Sequence, residues 1–214
     1  MKEKMRNYSD IDHLIMHVDS MLKTVCGGNS GTRDYPVISS ESNLTAAEVK
    51  QSIGLMRVNN VGEVCAQALY QGQALASTNI DLALKLQEAS DEEIDHLAWT
   101  EQRLNELGGR LSYLNLFWYT GSFSLGYIAG VMGDKWSLGF LAETEYQVTY
   151  HLEDYMQKLP DADKRSYEVM QAMRDDEIKH AEMAIESGGV ELPVWAKSAM
   201  QVTASIMKAL ALRI

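Results

Sequence analysis

Two copies of Glu-x-x-His, Glu93 with His96 and Glu177 with His180, stand 84 residues apart in a 214-residue chain that holds 5 histidines in all. Residues i and i+3 share one face of an α-helix, so each copy aims a carboxylate and an imidazole at the same point. Two such helices facing each other supply half of a two-metal site. The other half is two lone carboxylates on two further helices, because four carboxylates and two imidazoles balance a pair of divalent ions inside a four-helix bundle. Glu63 precedes Glu93 by 30 residues, and Glu145 precedes Glu177 by 32. Each interval is about one helix, a short turn and part of a return helix, which brings the members of each pair level in an antiparallel hairpin.

The competing reading is solvated charge. Glu92 with His96 and Asp176 with His180 are i, i+4 pairs, a spacing that also makes surface ion pairs. Glu63 weighs against it, since this residue follows Gly62 inside the apolar run Val58–Cys65. A carboxylate buried there without a partner is costly, and a metal is the better explanation. Glu143 competes with Glu145 but sits two residues away, on a different helical face; the interval to Glu177 selects Glu145.

Long stretches between the prolines at 36, 160 and 193 are filled with Ala, Leu, Met, Glu and Gln, so an all-α fold is expected. Residues 1–43 read as an N-terminal helix, about 9–26, followed by a linker, GGNSGTRDYPVISSESN, at 27–43. Ile11, Leu14, Ile15, Val18 and Leu22 mark the apolar side of that helix. His13 and His17 lie on it at i, i+4 with no acidic triad around them, and read as surface or supporting groups. Residues 44–214 read as the bundle domain. Its helices are expected at about 45–76, opened by a Thr45–Glu48 capping box, at 80–107, at 134–158 and from Asp161 to about Ser187. Gly108-Gly109 and Gly188-Gly189 are expected to end the two motif helices.

Between the two hairpins, Leu111–Gly133 runs for 23 residues without a charge. Ser, Asn, Thr and Gly dilute its hydrophobicity below that of a spanning helix. Its aromatic set, Tyr113, Phe117, Trp118, Tyr119, Phe123 and Tyr127, suits a helix lying at lipid headgroups; the competing reading is a buried crossover helix. Residues 192–214 also repeat apolar positions at helical spacing, with only three cations after Glu191, a pattern suited to an anionic membrane surface. A net charge of −11 argues against nucleic acid as a partner. Cys26 and Cys65 are too few for a zinc cage, and no secretory segment precedes Asp10, so reduced thiols in the cytosol are expected.

LMRVNNVGEVCAQALYQGQ around Glu63, DEEIDHL around His96 and RDDEIKHAEMA around His180 strongly resemble the demethoxyubiquinone hydroxylases, in their bacterial form, from about residue 50 to the end. The resemblance implies a ferritin-like four-helix bundle with additional N-terminal and C-terminal, membrane-facing helices. It further implies a peripheral position on the cytoplasmic face of the cell membrane and hydroxylation of a polyprenylated demethoxyubiquinone ring. Two iron ions would be held by Glu63, Glu93, His96, Glu145, Glu177 and His180, with Glu93 and Glu177 bridging. O2 is the implied co-substrate, and NADH the implied electron source by way of the quinol. The RVNxVGE block carries one departure, Asn60 where the family has His. His151 matches a family histidine near substrate, and Tyr150 and Tyr155 are the tyrosines closest to the place where Leu152 replaces the family's Tyr. The resemblance leaves open a homo-oligomer or a complex of ubiquinone-biosynthesis proteins. A ferritin-like iron store or a rubrerythrin-like peroxide scavenger would use the same ligands, but neither needs an uncharged aromatic segment.

Overall fold

A computed structural model describes residues 9–40 and 43–214; the side chains of Asp10, His13 and Leu14 lie outside the described set. Those residues form seven α-helices and no strand. They are α1 (Asp10–Cys26), α2 (Ala46–Ala76), α3 (Ile80–Glu106), α4 (Asn115–Val131), α5 (Asp134–Lys158), α6 (Lys164–Glu186) and α7 (Val194–Ala211).

Local signals set most of these boundaries. Thr45 Oγ1 accepts from the Glu48 amide at 3.4 Å while Glu48 Oε2 accepts from the Thr45 amide at 2.7 Å, closing the expected capping box at the start of α2. Asn79 caps α3 by accepting from the amides of Asp81 and Leu82. Gly108 and Gly188, both at positive φ, end α3 and α6. The sixth helix begins at Lys164 rather than Asp161. Pro160 opens a tight turn there, and the Asp163 carboxylate caps the helix by accepting from the Ser166 amide at 3.1 Å.

Helices α2, α3, α5 and α6 are the bundle. Contacts pair the two ends of each neighbour: Asn60 with Thr100 and Gln67 with Ser90 run α2 against α3, and Tyr70 with Glu145 and Gln51 with the Lys158 carbonyl run α2 against α5. Arg103 with Asp163 and Lys85 with Ser187 do the same for α3 and α6. So α2 and α6 point one way and α3 and α5 the other, and α4 is the crossover that makes this possible. That arrangement, one long crossover in a four-helix bundle, is the ferritin-like topology.

The uncharged segment forms the crossover helix α4, which is buried on one side only. One side of α4 packs directly on α2, where Gly72, Gly126 and Gly130 leave room for backbone against backbone; a Cβ at Gly126 would strike the Leu69 carbonyl. The other side exposes Leu116, Phe117, Leu125, Ile128, Val131 and Met132. No helix among the described residues is long and apolar enough to cross a membrane. In α1, Ile11, Ile15, Val18 and Leu22 are turned outward, and Met21 and Val25 make the contact with the bundle.

The described residues of 27–40 are closely pinned along α3 and α6. Glu101 accepts from the Gly28 amide at 2.8 Å, Asp95 accepts from the amides of Thr32 and Arg33, and Glu168 accepts from the amides of Ile38 and Ser39 at 3.1 Å each.

Candidate metal centre

Midway along the bundle, α2 brings Glu63, α3 brings Glu93 and His96, α5 brings Glu145, and α6 brings Glu177 and His180. None of the six is more than 5 % exposed. Potential ligand atoms of Glu63, Glu93, His96 and Glu177 lie within 4.8 Å of one another, as do those of Glu145, Glu177 and His180. The Nδ1 atoms of both imidazoles face inward. Glu93 places Oε2 3.3 Å from His96 Nδ1 and Oε1 3.3 Å from His180 Nδ1. Glu177 does likewise, with Oε1 3.3 Å from His96 Nδ1 and Oε2 3.4 Å from His180 Nδ1. Each of these two carboxylates thus reaches both histidines. Glu63 approaches only His96, at 3.3 Å, and Glu145 belongs to the set around His180.

The outward nitrogens are held crosswise. His96 Nε2 meets Asp176 of α6 at 3.1 Å, and His180 Nε2 meets Glu92 of α3 at 2.9 Å. Asp176 and Glu92 are therefore not i, i+4 partners of the histidines on their own helices, as the surface-pair reading had it. Each crosses the bundle to the other motif, because the residue before the inward glutamate points to that glutamate's flank. An imidazole fixed in this way directs Nε2 to the acid, and with a metal bound it would present the Nδ1 lone pair to the centre.

Tyr70 completes the site, its hydroxyl donating to Glu145 Oε1 at 2.8 Å. Seven residues after Glu63, it lies two turns on along the same helix face; that spacing was the available signal for it. Burial and then the charge of Glu145 push the Tyr70 pKa well above the ordinary value.

Charge balance decides what the cluster can do. Burial, then the charge on Glu93, raises the Glu63 pKa well above the usual carboxylate range, and burial followed by Glu177 does the same to Glu145. Burial opposes the imidazolium of His180, yet Glu177 and Glu93 outweigh it and push the pKa up to about 12. His96 is raised in the same way. Protons held on Glu63, on Glu145 and on both imidazoles offset the four buried carboxyl groups, a role that divalent ions can fill as well. Glu93 Oε1, Glu145 Oε2, both Glu177 oxygens and His180 Nδ1 are buried without a hydrogen bond of proper geometry. Unmet acceptors around a shared centre, with oxygen and imidazole donors, fit a pair of divalent ions.

The remaining candidates lie outside this cluster. His151 is six residues after Glu145, about 240° round the helix. Its ring packs on Tyr155 at 3.9 Å between centroids, and neither nitrogen has a hydrogen-bond partner among the described residues. Burial, with a contribution from Lys208, drives its pKa down to about 3. Tyr150 is 75 % exposed, and Leu152 fills the main core. Asn60 donates to Thr100 Oγ1 at 3.0 Å one turn before Glu63. Glu143 turns away from the centre to pair with Lys197 of α7 at 3.3 Å.

A bundle with a single crossover, closing four buried carboxylates around two imidazoles, defines a ferritin-like protein with a site suited to metal. The family model of the ubiquinone biosynthesis protein COQ7 matches residues 50–211. A Chromobacterium violaceum protein named 3-demethoxyubiquinol 3-hydroxylase is 52 % identical over 198 residues, covering 92 % of this chain and 96 % of its own. Proteins of the same name from Polynucleobacter necessarius and Coxiella burnetii are 50 % identical over 208 residues and 48 % identical over 212, and cover 96 % and 99 % of this chain. They in turn are covered over 100 % and 99 % of their own lengths. The chain belongs to the COQ7 family.

Proposed function

We propose that this chain is the oxidoreductase that hydroxylates the ring of a polyprenylated demethoxyubiquinol with O2, a late step of ubiquinone biosynthesis. The observation that carries the chemistry is the sharing of Glu93 and Glu177 between the two imidazoles. Glu63 with His96 would hold one iron, Glu145 with His180 the other, and Glu93 with Glu177 would join them. Hard carboxylates with imidazole favour iron or manganese over zinc. Iron bound there would supply O2 activation and transfer of one oxygen atom to the ring, with NADH as the electron source by way of the quinol.

The chain's own residues do the rest. Asp176 and Glu92 fix the two histidines, and Tyr70 fixes Glu145. The apolar layer of Val64, Ala68, Leu97 and Tyr119 between α2, α3 and α4 would help to keep water from the centre. The relatives' shared name supports the hydroxylase over a ferritin-like store or a rubrerythrin-like scavenger. His151, Tyr150 and Tyr155 are kept as candidates for contact with the quinol.

A peripheral site on the cytoplasmic face of the cell membrane accords with the outward apolar rows of α4 and with Val194, Trp195, Val202 and Ile206 of α7. A prenyl tail would then leave the lipid beside these helices. The experiment is to change Glu93 and Glu177 singly to Ala. Each variant should lose iron and hydroxylation together, and variants that kept both would end this reading.

A further inference from the structure

The two halves of the centre match in ligands and differ in what stands behind them. Behind His180 is Glu92, whose side chain is 49 % exposed and feels Lys179 only through space, with no salt bridge to Lys or Arg among the described residues. Behind His96 is Asp176, 7 % exposed and held by Arg33 at 2.6 Å and Lys179 at 2.8 Å.

Arg33 belongs to neither motif. It arrives on the 27–40 segment, and its guanidinium spans the seam between α3 and α6. Nε donates to Asp95 at 2.6 Å and a terminal nitrogen to Asp176 at 2.6 Å. Asp95 is the residue before His96, and it also accepts from the Thr32 amide at 2.5 Å and the Arg33 amide at 3.2 Å. The same guanidinium lies 4.6 Å over the Trp99 ring, and that ring sits against His96 at 5.4 Å between centroids. Arg33 therefore touches both the acid and the aromatic ring that bound the movement of His96. Two cations, Arg33 and Lys179, face two anions, Asp95 and Asp176, so the clamp fixes position without adding net charge beside the centre.

We propose that Arg33 is a positioning residue of the metal centre. By holding Asp176 and Trp99 against His96, it makes the Glu63–His96 half bind its divalent ion first and more tightly, and leaves the Glu145–His180 half exchangeable. The physical basis is preorganisation: a histidine already locked by an oriented acceptor loses less freedom on ligation, and such outer partners change metal affinity by about 10–100-fold. The proposal rests on the two-metal reading above.

The test is an anaerobic titration of metal-free full-length protein with Mn(II), following free Mn(II) by electron paramagnetic resonance, beside circular dichroism to check the fold. Wild type should bind two ions in steps at least about 10-fold apart in affinity. R33M should weaken the first step until the two merge and leave the second where it was. R33K, which can still reach one of the two acids, should fall between and carries the test if R33M does not fold. E168A, which frees the Ile38–Ser39 anchor and leaves Arg33 in place, should keep both steps. Equal affinity for both ions in wild type, or unchanged steps in the Arg33 variants, would overturn the inference and leave the two-metal reading intact. A matching loss in E168A would move the effect to the whole segment and overturn the assignment to Arg33. Failure of wild type to bind any Mn(II) would overturn the two-metal reading itself and this inference with it.

Discussion

Asp176 stands 3.1 Å from His96 across the α3–α6 seam, and the acid preceding the other inward glutamate, Glu92, stands 2.9 Å from His180 in return. Each Glu-x-x-His copy thereby supplies the support for its counterpart, and neither histidine can turn without disturbing the opposite helix. Removing the charge of either acid should loosen one metal subsite. D176N and E92Q are each expected to lower iron affinity by about 10–100-fold. Iron retained against a graded chelator measures it, and retention equal to wild type in both variants would contradict the assigned support.

The glycines of α4 divide by what surrounds them. A Cβ at Gly126 would enter the Leu69 backbone, whereas one at Gly121 would meet nothing within 4 Å. G126A should cost about 1–3 kcal/mol through overpacking that backbone cannot relieve. G121A, at an open helical position, should stabilise by up to about 1 kcal/mol. Urea unfolding of the two variants reads both signs.

Glu106 gives stability a defined dependence on pH. Burial works against its charge, but hydrogen bonds from Arg165 at 2.7 Å, Arg103 at 2.9 Å and Gln102 at 3.3 Å hold its pKa below the usual value. A carboxylate with a depressed folded pKa stabilises fully above its unfolded value of about 4.3 and loses that contribution as pH falls through the folded value. E106Q should therefore melt a few degrees (about 2–4 °C) below wild type at pH 7, with the gap closing below about pH 4. Thermal melts at both pH values check it; a gap that does not change with pH would contradict it.

Phe117, Ile128 and Val131 project from the face of α4 opposite α2, each more than half exposed. If this face meets lipid, changing the three to Ser should leave the bundle folded and abolish flotation with anionic vesicles. Undiminished flotation would count against it.

The six inward residues were legible because helical spacing is a local property: i, i+3 pairs and hairpin-length intervals survive in one dimension. The helix ends at Thr45, Gly108 and Gly188 followed for the same reason, whereas the Asn79 cap came only from the structure. What was hidden lies between elements. Asp176 and Glu92 read as neighbours of their own histidines until the bundle showed which helix each one faces. The composition of 27–43 reads as a linker, since nothing in it shows that Glu101, Asp95 and Glu168 are spaced along α3 and α6 to receive its amides. For α4 the sequence offered two readings, lipid or crossover; the structure shows a crossover helix packed on α2 through its glycines, with large apolar groups on its outer side.

The most direct measurement is metal content and O2 consumption of anaerobically reconstituted protein, with NADH and a short-chain demethoxyquinone. Two irons per chain, O2 uptake that depends on the quinone and a hydroxylated ring in the product are the predicted result. Two irons without product would contradict the hydroxylase, and a chain that binds no metal would contradict the centre itself.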